Sequence, residues 1–338
     1  MGEVDNLHIV VLCGGEGSRL WPVSTPNYPK QFLSLGTTNT LFQETLLRAK
    51  SLSNNPPIVV CNKEHKFIAA EQARLIGVEL EVIITENIPK NTAPAANLAS
   101  SYLSDDALVL LMPSDHVISG FEKVLQEGVR EALKNKIVTF GIKPTSPETG
   151  YGYIKHEKTK IEKFIEKPSL KKAQELLNSG NCLWNSGIFL FKNSVFKEEL
   201  KSLCPDVFIN CSIAMVLGKK EGEFFYPEEK SFNASPSISI DYAVMEKTKL
   251  GSVIESDISW SDVGSWDKVW EKSEKDENGN VTIGAKGLVD TNDSYIRSDG
   301  PEISAIGLKN MMIIASKNNI LVAPMSRNQE IKKLVNER

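Results

Sequence analysis

Residues 7–33 read LHIVVLCGGEGSRLWPVSTPNYPKQFL, and the way this stretch opens decides the fold. Leu7 to Leu12 is a short apolar run stopped by glycine, the pattern of a strand buried on both faces of a parallel sheet. After it the side chains nearly vanish. Gly14, Gly15 and Gly17 permit a tight turn that brings backbone N–H groups against a ligand. Arg19 follows the last glycine and Lys30 follows Pro29, so a loop of bare amides is flanked by two positive charges, which suits a polyphosphate. The bland alternative is a glycine turn with two solvated cations. A P-loop needs Lys-Ser/Thr directly after its last glycine, and here Ser18-Arg19 stands there; a dinucleotide fingerprint needs glycine where Leu20 stands.

Working outward, Asn39 and Thr40 both qualify as caps for an amphipathic helix over LFQETLLRAKSL with a Phe42, Leu46, Leu47 stripe. PPIVVC predicts a second strand, residues 64–76 a helix stopped by Gly77, and EVIIT a third strand. Such alternation predicts an α/β, doubly wound, Rossmann-like sheet with right-handed crossovers. ALVLLM, from Ala107, predicts a central strand, with Ser114 and Asp115 just past its carboxyl end, where open α/β sheets bind ligands. Asp115 there is either a hard oxygen ligand for a hydrated Mg²⁺ or a turn former. Residues 121–135 have a clear helical period and IVTFGI reads as another strand.

In NIPKNTAPA, Asn91 or Thr92 caps a helix whose first turn holds Pro94; free amides there also suit a base or phosphate. In TGYGYIK, Gly150 and Gly152 allow close backbone approach, and Tyr151 or Tyr153 is placed to cover a sugar face. KIEKFIEKP alternates as a half-exposed strand, after which Ser169 caps a helix ending near Gly180. In WNSGIFLF, Asn185 is either a two-way hydrogen-bonding group or a turn residue before a strand. Residues 193–230 read as helices and loops of open arrangement. Asp241, in SIDYAVMEK, reads at least as well as a helix cap as a ligand-binding residue. DISWSDVGSW brings Asp262 to a strand end ahead of a helix at Gly264 or Ser265. KSEKDENGN reads as a linker, and the short strands VTIGA, GLVD, SYIRS, ISAIGL, MMIIAS and NILVAP follow it, before a charged helix ending KKLVNER.

The order GGEGSRLWP, PKQF, NTAPA, TGYGYI, FIEKP, NSGIF and SDVGSW resembles the sugar-phosphate nucleotidyltransferase family, and Trp21-Pro22 with Lys30-Gln31-Phe32 resembles its mannose-1-phosphate guanylyltransferase branch. The resemblance implies a mixed-sheet nucleotidyltransferase domain over residues 1–274 and a small C-terminal β-rich, short left-handed β-helix-like domain over 281–338. It implies transfer of GMP from GTP to α-D-mannose 1-phosphate, giving GDP-mannose and pyrophosphate, with Mg²⁺ as cofactor. Arg19 and Lys30 would neutralise the triphosphate on the loop of Leu12, Gly14, Gly15, Gly17 and Ser18. Asn91 and Thr92 would lie at the base, with Ser114 and Asp115 beside the nucleotide. Asp115 and Asp262 would hold the metal, and Gly152, Tyr153, Glu166, Lys167 and Asn185 the sugar phosphate. Where this sequence has Lys90 the family usually has arginine, which leaves the role of that position open. Other sugar 1-phosphates or nucleoside triphosphates, and a catalytically silent sugar-nucleotide sensor, are the rival readings. Longer relatives carry a fused isomerase cupin after this point, and none is expected within these residues.

The chain has 338 residues, enough for about two domains on a prior of ~150 residues each. A net charge of -4 argues against nucleic acid as a partner, since such surfaces need clustered Lys and Arg. Five cysteines without a C-x-x-C indicate neither a disulfide framework nor a zinc site, and a reduced cytoplasm is the expected home. MGEVDN lacks the features of a signal peptide or myristoylation site, and no apolar run spans a bilayer, so no membrane association is expected. The β-rich appendage makes a homodimer the expected assembly.

Overall fold

The computed structural model describes residues 6–15 and 17–336; Glu16 of the glycine-rich loop and both extreme termini lie outside the described residues. By contact the chain divides into two compact units. The first comprises residues 1–14, 45–114 and 118–260, and the second residues 15–44, 115–117 and 261–338.

The first unit is built on an 11-stranded mixed sheet. Its strands are β1 (Leu7–Cys13), β2 (Ile58–Asn62), β3 (Val82–Glu86), β4 (Leu108–Pro113), β6 (Ile137–Ile142), β7 (Tyr153–Glu157), β8 (Lys160–Ile165), β9 (Cys182–Lys192), β10 (Lys219–Glu221), β11 (Phe224–Tyr226) and β12 (Gly251–Ser256). The short strands β5 (Val117–Ser119) and β13 (Ser259–Ser261) pair in a ribbon of their own. The large sheet runs in the order β10-β11-β3-β2-β1-β4-β9-β6-β12-β8-β7. β1 pairs parallel with both β2 and β4, so the strand order reverses about β1, and such a switch point is where open α/β sheets take their ligands. Strand β9 runs antiparallel between β4 and β6, which makes the sheet mixed.

The apolar runs at β1, β2, β3 and β4 become strands because both faces are covered: Val10, Ile58, Val60, Val82, Ile84, Val109 and Leu111 share one core with Ala95, Ala96 and Ala99 of the helix Thr92–Tyr102. Asn91 caps that helix, its side chain accepting from the Thr92 amide, as expected. In the helix Leu41–Leu52 the cap is Thr40, whose hydroxyl accepts from Gln43 N (3.2 Å) while Gln43 Oε1 accepts from Thr40 N (3.0 Å). Its buried face carries Phe42, Thr45, Leu46 and Ala49, whereas Leu47, expected in the stripe, is 36% exposed. The segment 193–230 resolves into helices Asn193–Leu203 and Pro205–Val216 and the hairpin β10–β11, whose second strand extends the sheet parallel to β3.

The second unit contains all six expected C-terminal strands: β14 (Val281–Ile283), β15 (Ala285–Val289), β16 (Tyr295–Ser298), β17 (Ile303–Ile306), β18 (Met311–Ser316) and β19 (Asn319–Pro324). β14, β16 and β18 stack in parallel, β15 and β17 form a second parallel pair, and β19 closes antiparallel on β18, the alternating ladders of a β-helix. Their core holds Tyr295, Met312, Ile314 and Leu321 together with Leu20, Trp21, Val23 and Leu33 from the segment after the glycine-rich loop. Trp266 Nε1 donates to Trp21 O (3.0 Å) and the Trp266 ring packs on Tyr295 at 5.2 Å. The phosphate-loop segment therefore folds with the C-terminal strands, a grouping that a cut between residues 274 and 281 does not show.

Candidate active site

In the second unit, Gly17, Ser18, Arg19, Lys30, Asp115, His116, Asp262, Gly264 and Lys332 line one cavity of about 420 Å³. Gly17 has φ +58, and a Cβ there would run into Lys30 Cβ, so glycine is needed both for its backbone and for the approach of Lys30. Lys30, 4% exposed, pairs with Asp115 Oδ2 at 3.0 Å and also donates to the backbone carbonyl of Asp262. A buried ammonium of this kind is costly unless paired, and its two contacts tie the Asp115 carboxylate and the Asp262 backbone to one cation. Burial alone would raise the Asp115 pKa; the Lys30 ammonium outweighs it and, with His116 at 3.7 Å, holds the carboxyl below its ordinary value. Asp262 Oδ1 accepts from Gly264 N (3.1 Å). Between them Val263 is held at φ 43, a left-handed conformation that costs a β-branched residue on the order of 1–3 kcal/mol and persists only because its buried side chain and the Ser261 cap fix it.

Gly264, named from the sequence only as a possible helix start, is a residue of the cavity wall. A Cβ on it would stand 2.6 Å from Asp262 Oδ2 and 2.8 Å from Arg19 Nη2, so the absent side chain is what lets the cation and carboxylate converge. Its signal was the glycine following Asp-Val, legible only once Arg19 is known to lie there. No group of three or more His, Cys, Asp or Glu among the described residues is arranged to hold a metal. Two hard carboxylates in one cavity do fit a divalent cation that completes its shell with phosphate oxygens and water.

The remaining nucleotide-side candidates, Gly15 apart, belong to the first unit. Leu12 is half-buried near the end of β1, and Gly14 is exposed, as is Gly15 beyond it in the second unit. Ser114 is fully buried, its amide extending the β1–β4 ladder to Leu12 O (3.0 Å). Thr92 Oγ1 accepts from Ile240 N (2.9 Å) and Lys90 donates to the carbonyls of Asn233 and Ser235 (2.8 Å each), which makes Lys90 a brace for the loop. At the start of that loop Glu86, unflagged in the sequence, is buried with Oε1 lacking a partner among the described residues; burial pushes its pKa up to about 8 despite the Lys90 amide.

The acceptor candidates converge in the first unit. A Cβ on Gly152 would meet Glu166 Oε2 at 2.6 Å and Asn185 Cβ at 3.3 Å, so Gly152 makes room for both. Glu166 is 8% exposed and pairs with the largely exposed Lys167 at 3.1 Å. Asn185 lies inside β9, correcting the option of a turn residue before the strand. Its Oδ1 accepts from the Thr139 hydroxyl (2.8 Å) and its Nδ2 donates to Asp241 Oδ1 (2.9 Å). Asp241 is thus not a helix cap: it opens the π-helical turn Asp241–Met245, whose capping position is Ile240, and its carboxylate orients Asn185. Burial, reinforced by the negative charge of Glu166, raises the Asp241 pKa to about 7. Tyr153 is fully buried and so does not cover a sugar face; Tyr151, between Trp184 (5.2 Å) and Trp260 (5.0 Å), is the half-buried ring beside this group.

Comparison with known proteins agrees with the fold. The nucleotidyl transferase family model matches residues 8–279, and the MannoseP isomerase/GMP-like beta-helix domain matches residues 285–337. A mannose-1-phosphate guanylyltransferase from Salmonella montevideo is 42% identical, over 96% of this chain and 72% of its own length. A Thermus thermophilus structure titled mannose-1-phosphate geranyltransferase superposes with a TM-score of 0.87 over 98% of this chain and 99% of its own, at 28% identity. A Helicobacter pylori structure titled mannose-6-phosphate isomerase reaches a TM-score of 0.68 over 76% and 99%, at 31% identity. The family model over most of the chain and the 42% identical relative place this chain in the nucleotidyl transferase family, in its mannose-1-phosphate guanylyltransferase branch.

Proposed function

We propose that this protein transfers GMP from GTP to α-D-mannose 1-phosphate, releasing pyrophosphate and forming GDP-mannose. The observation that carries the reading is the single cavity in which residues from three distant parts of the sequence meet: Gly17, Ser18, Arg19 and Lys30, then Asp115, then Asp262. The attacking phosphate oxygen is already anionic near neutral pH, so the chain need not supply a general base. Its task is to hold two anions in line at the α-phosphorus and to spread the charge that moves onto the leaving group. Arg19 and the loop amides face the departing pyrophosphate, while Lys30 fixes Asp115 and the 262 turn. Lys167 orients the sugar phosphate, and Glu166 and Asn185 bond its hydroxyls. Asp115 and Asp262 would hold Mg²⁺, which when bound would neutralise phosphate charge.

We infer a catalytic segment over residues 1–274 and a β-helix-like appendage over 281–338, a division supported by the spans of the two family models. Among the described residues no helix is long and apolar enough to cross a membrane, and a cytoplasmic enzyme fits the proposed reaction. Exposed Ile209, Ile213, Val216 and Leu217 around one helix end support a homodimer.

The test is pyrophosphate release from a panel of nucleoside triphosphates with mannose 1-phosphate or glucose 1-phosphate, with and without Mg²⁺, beside an assay of mannose 6-phosphate isomerisation. Magnesium-dependent release with GTP and mannose 1-phosphate is expected. Isomerisation without release would favour the activity in the Helicobacter pylori title, and GDP-mannose binding without turnover would indicate a sensor.

A further inference from the structure

The cavity wall includes a residue from the C-terminal end of the described chain, Lys332, in the helix Ile331–Asn336. Of the cavity's other cations, Lys30 is committed to Asp115 and buried. Arg19 donates through Nη1 to Gln329 Oε1 at 3.2 Å, a neutral partner that orients the guanidinium, whose Nη2 lies on the Asp262 side at Gly264. Gln329 and Lys332 stand three residues apart, the spacing that places two side chains on one face of a helical turn. The neighbouring face is arranged differently. There Glu330 pairs with Arg327 (2.7 Å) and Lys333 (3.3 Å), and the two cations drop its pKa to about 2. Ile331 anchors the turn in the core that also holds Leu20 and Trp21. Among the described residues the segment's other cations, Arg327 and Lys333, are paired with Glu330, whereas Lys332 lines the cavity.

We propose that Lys332 is a polyphosphate-binding residue supplied by the C-terminal helix, and that Gln329 is a positioning residue for Arg19. The inference rests on the reading of the cavity as a triphosphate and pyrophosphate site. It gives the β-helical appendage a direct part in binding the leaving group: with Lys30 held by Asp115, Arg19 and Lys332 are the charges that meet the pyrophosphate oxygens.

The test measures direct binding of pyrophosphate and of GTP, in Mg²⁺, by calorimetry on the full chain and on Lys332→Ala, Lys332→Arg and Gln329→Ala, beside steady-state kinetics. Lys332→Ala should weaken pyrophosphate binding about fivefold or more, as loss of an exposed charge-assisted contact implies, and raise the KM for GTP in parallel. The KM for sugar phosphate should stay within about twofold, and Lys332→Arg should recover most of the binding because it restores the charge. Gln329→Ala should weaken the same ligands at unchanged melting temperature. Unaltered pyrophosphate binding in Lys332→Ala, or equal losses for all substrates together with a lower melting temperature, would overturn the proposal. Because binding is read directly, a wild-type chain that binds pyrophosphate but transfers nothing would refute the proposed reaction and leave this comparison decisive.

Discussion

Asp241 shows how much one side chain carries in the acceptor group. Its carboxylate orients Asn185, and burial beside Glu166 raises its pKa from 3.8 to about 7. Between those values the folded protein keeps a proton that the unfolded chain gives up, so this group's contribution to stability falls as pH rises from about 4 to about 7 and is level above that. Asp241→Asn keeps an acceptor for Asn185 Nδ2 and removes the titration. Its stability relative to wild type should therefore improve as pH rises through that window, in denaturant melts at pH 5 and pH 8. An equal difference at both values would show that Asp241 does not hold a proton in the native state. At the nucleotide cavity the matching residue is Gly264. Gly264→Ala places a methyl group against Asp262 and Arg19, and we expect kcat to fall at least tenfold, about 1.4 kcal/mol of barrier, with little loss of melting temperature. Normal turnover would mean that these two groups need not approach each other.

At the scale of elements, the phosphate-loop segment rests on the C-terminal strands: Leu20 and Trp21 share a core with Met312 of β18, which is fully buried. Met312→Ala should cost about 2–5 kcal/mol, as other large-to-small core substitutions do, and should raise the KM for GTP more than that for mannose 1-phosphate. Equal changes in both would detach the loop from that support. The strands of the sheet were legible because parallel strands covered on both faces are written as unbroken apolar runs, and β1 to β4 read straight from the sequence. The strand β11, between the edge strand β10 and β3, was not, since three half-buried aromatic residues in a row carry no period. Nor was the π-helical turn at Asp241, because an aspartate ahead of apolar residues looks the same whether it caps a helix or reaches across to a strand.

Over the whole molecule, the donor candidates Arg19, Lys30, Asp115 and Asp262 belong to one compact unit and the acceptor candidates Glu166, Lys167 and Asn185 to the other. Lys167→Ala should accordingly raise the KM for mannose 1-phosphate while GTP binding is unchanged. The motifs, through their resemblance to the family, named all of these residues. They did not show that residues 15–44 fold with residues 261–338, because a pairing between distant segments leaves no trace in either one alone. They likewise missed the parts of Gly264, Gln329 and Lys332, which depend on what other segments bring beside them.

The central claim is attack of a sugar phosphate on the α-phosphorus of GTP, and isotope placement tests it most directly. With mannose 1-phosphate and Mg²⁺, GTP labelled at the α-phosphorus should yield labelled GDP-mannose, and GTP labelled at the γ-phosphorus should yield labelled pyrophosphate. Label from the γ-position appearing as orthophosphate or on the sugar, with none passing from the α-position into a sugar nucleotide, would contradict the account.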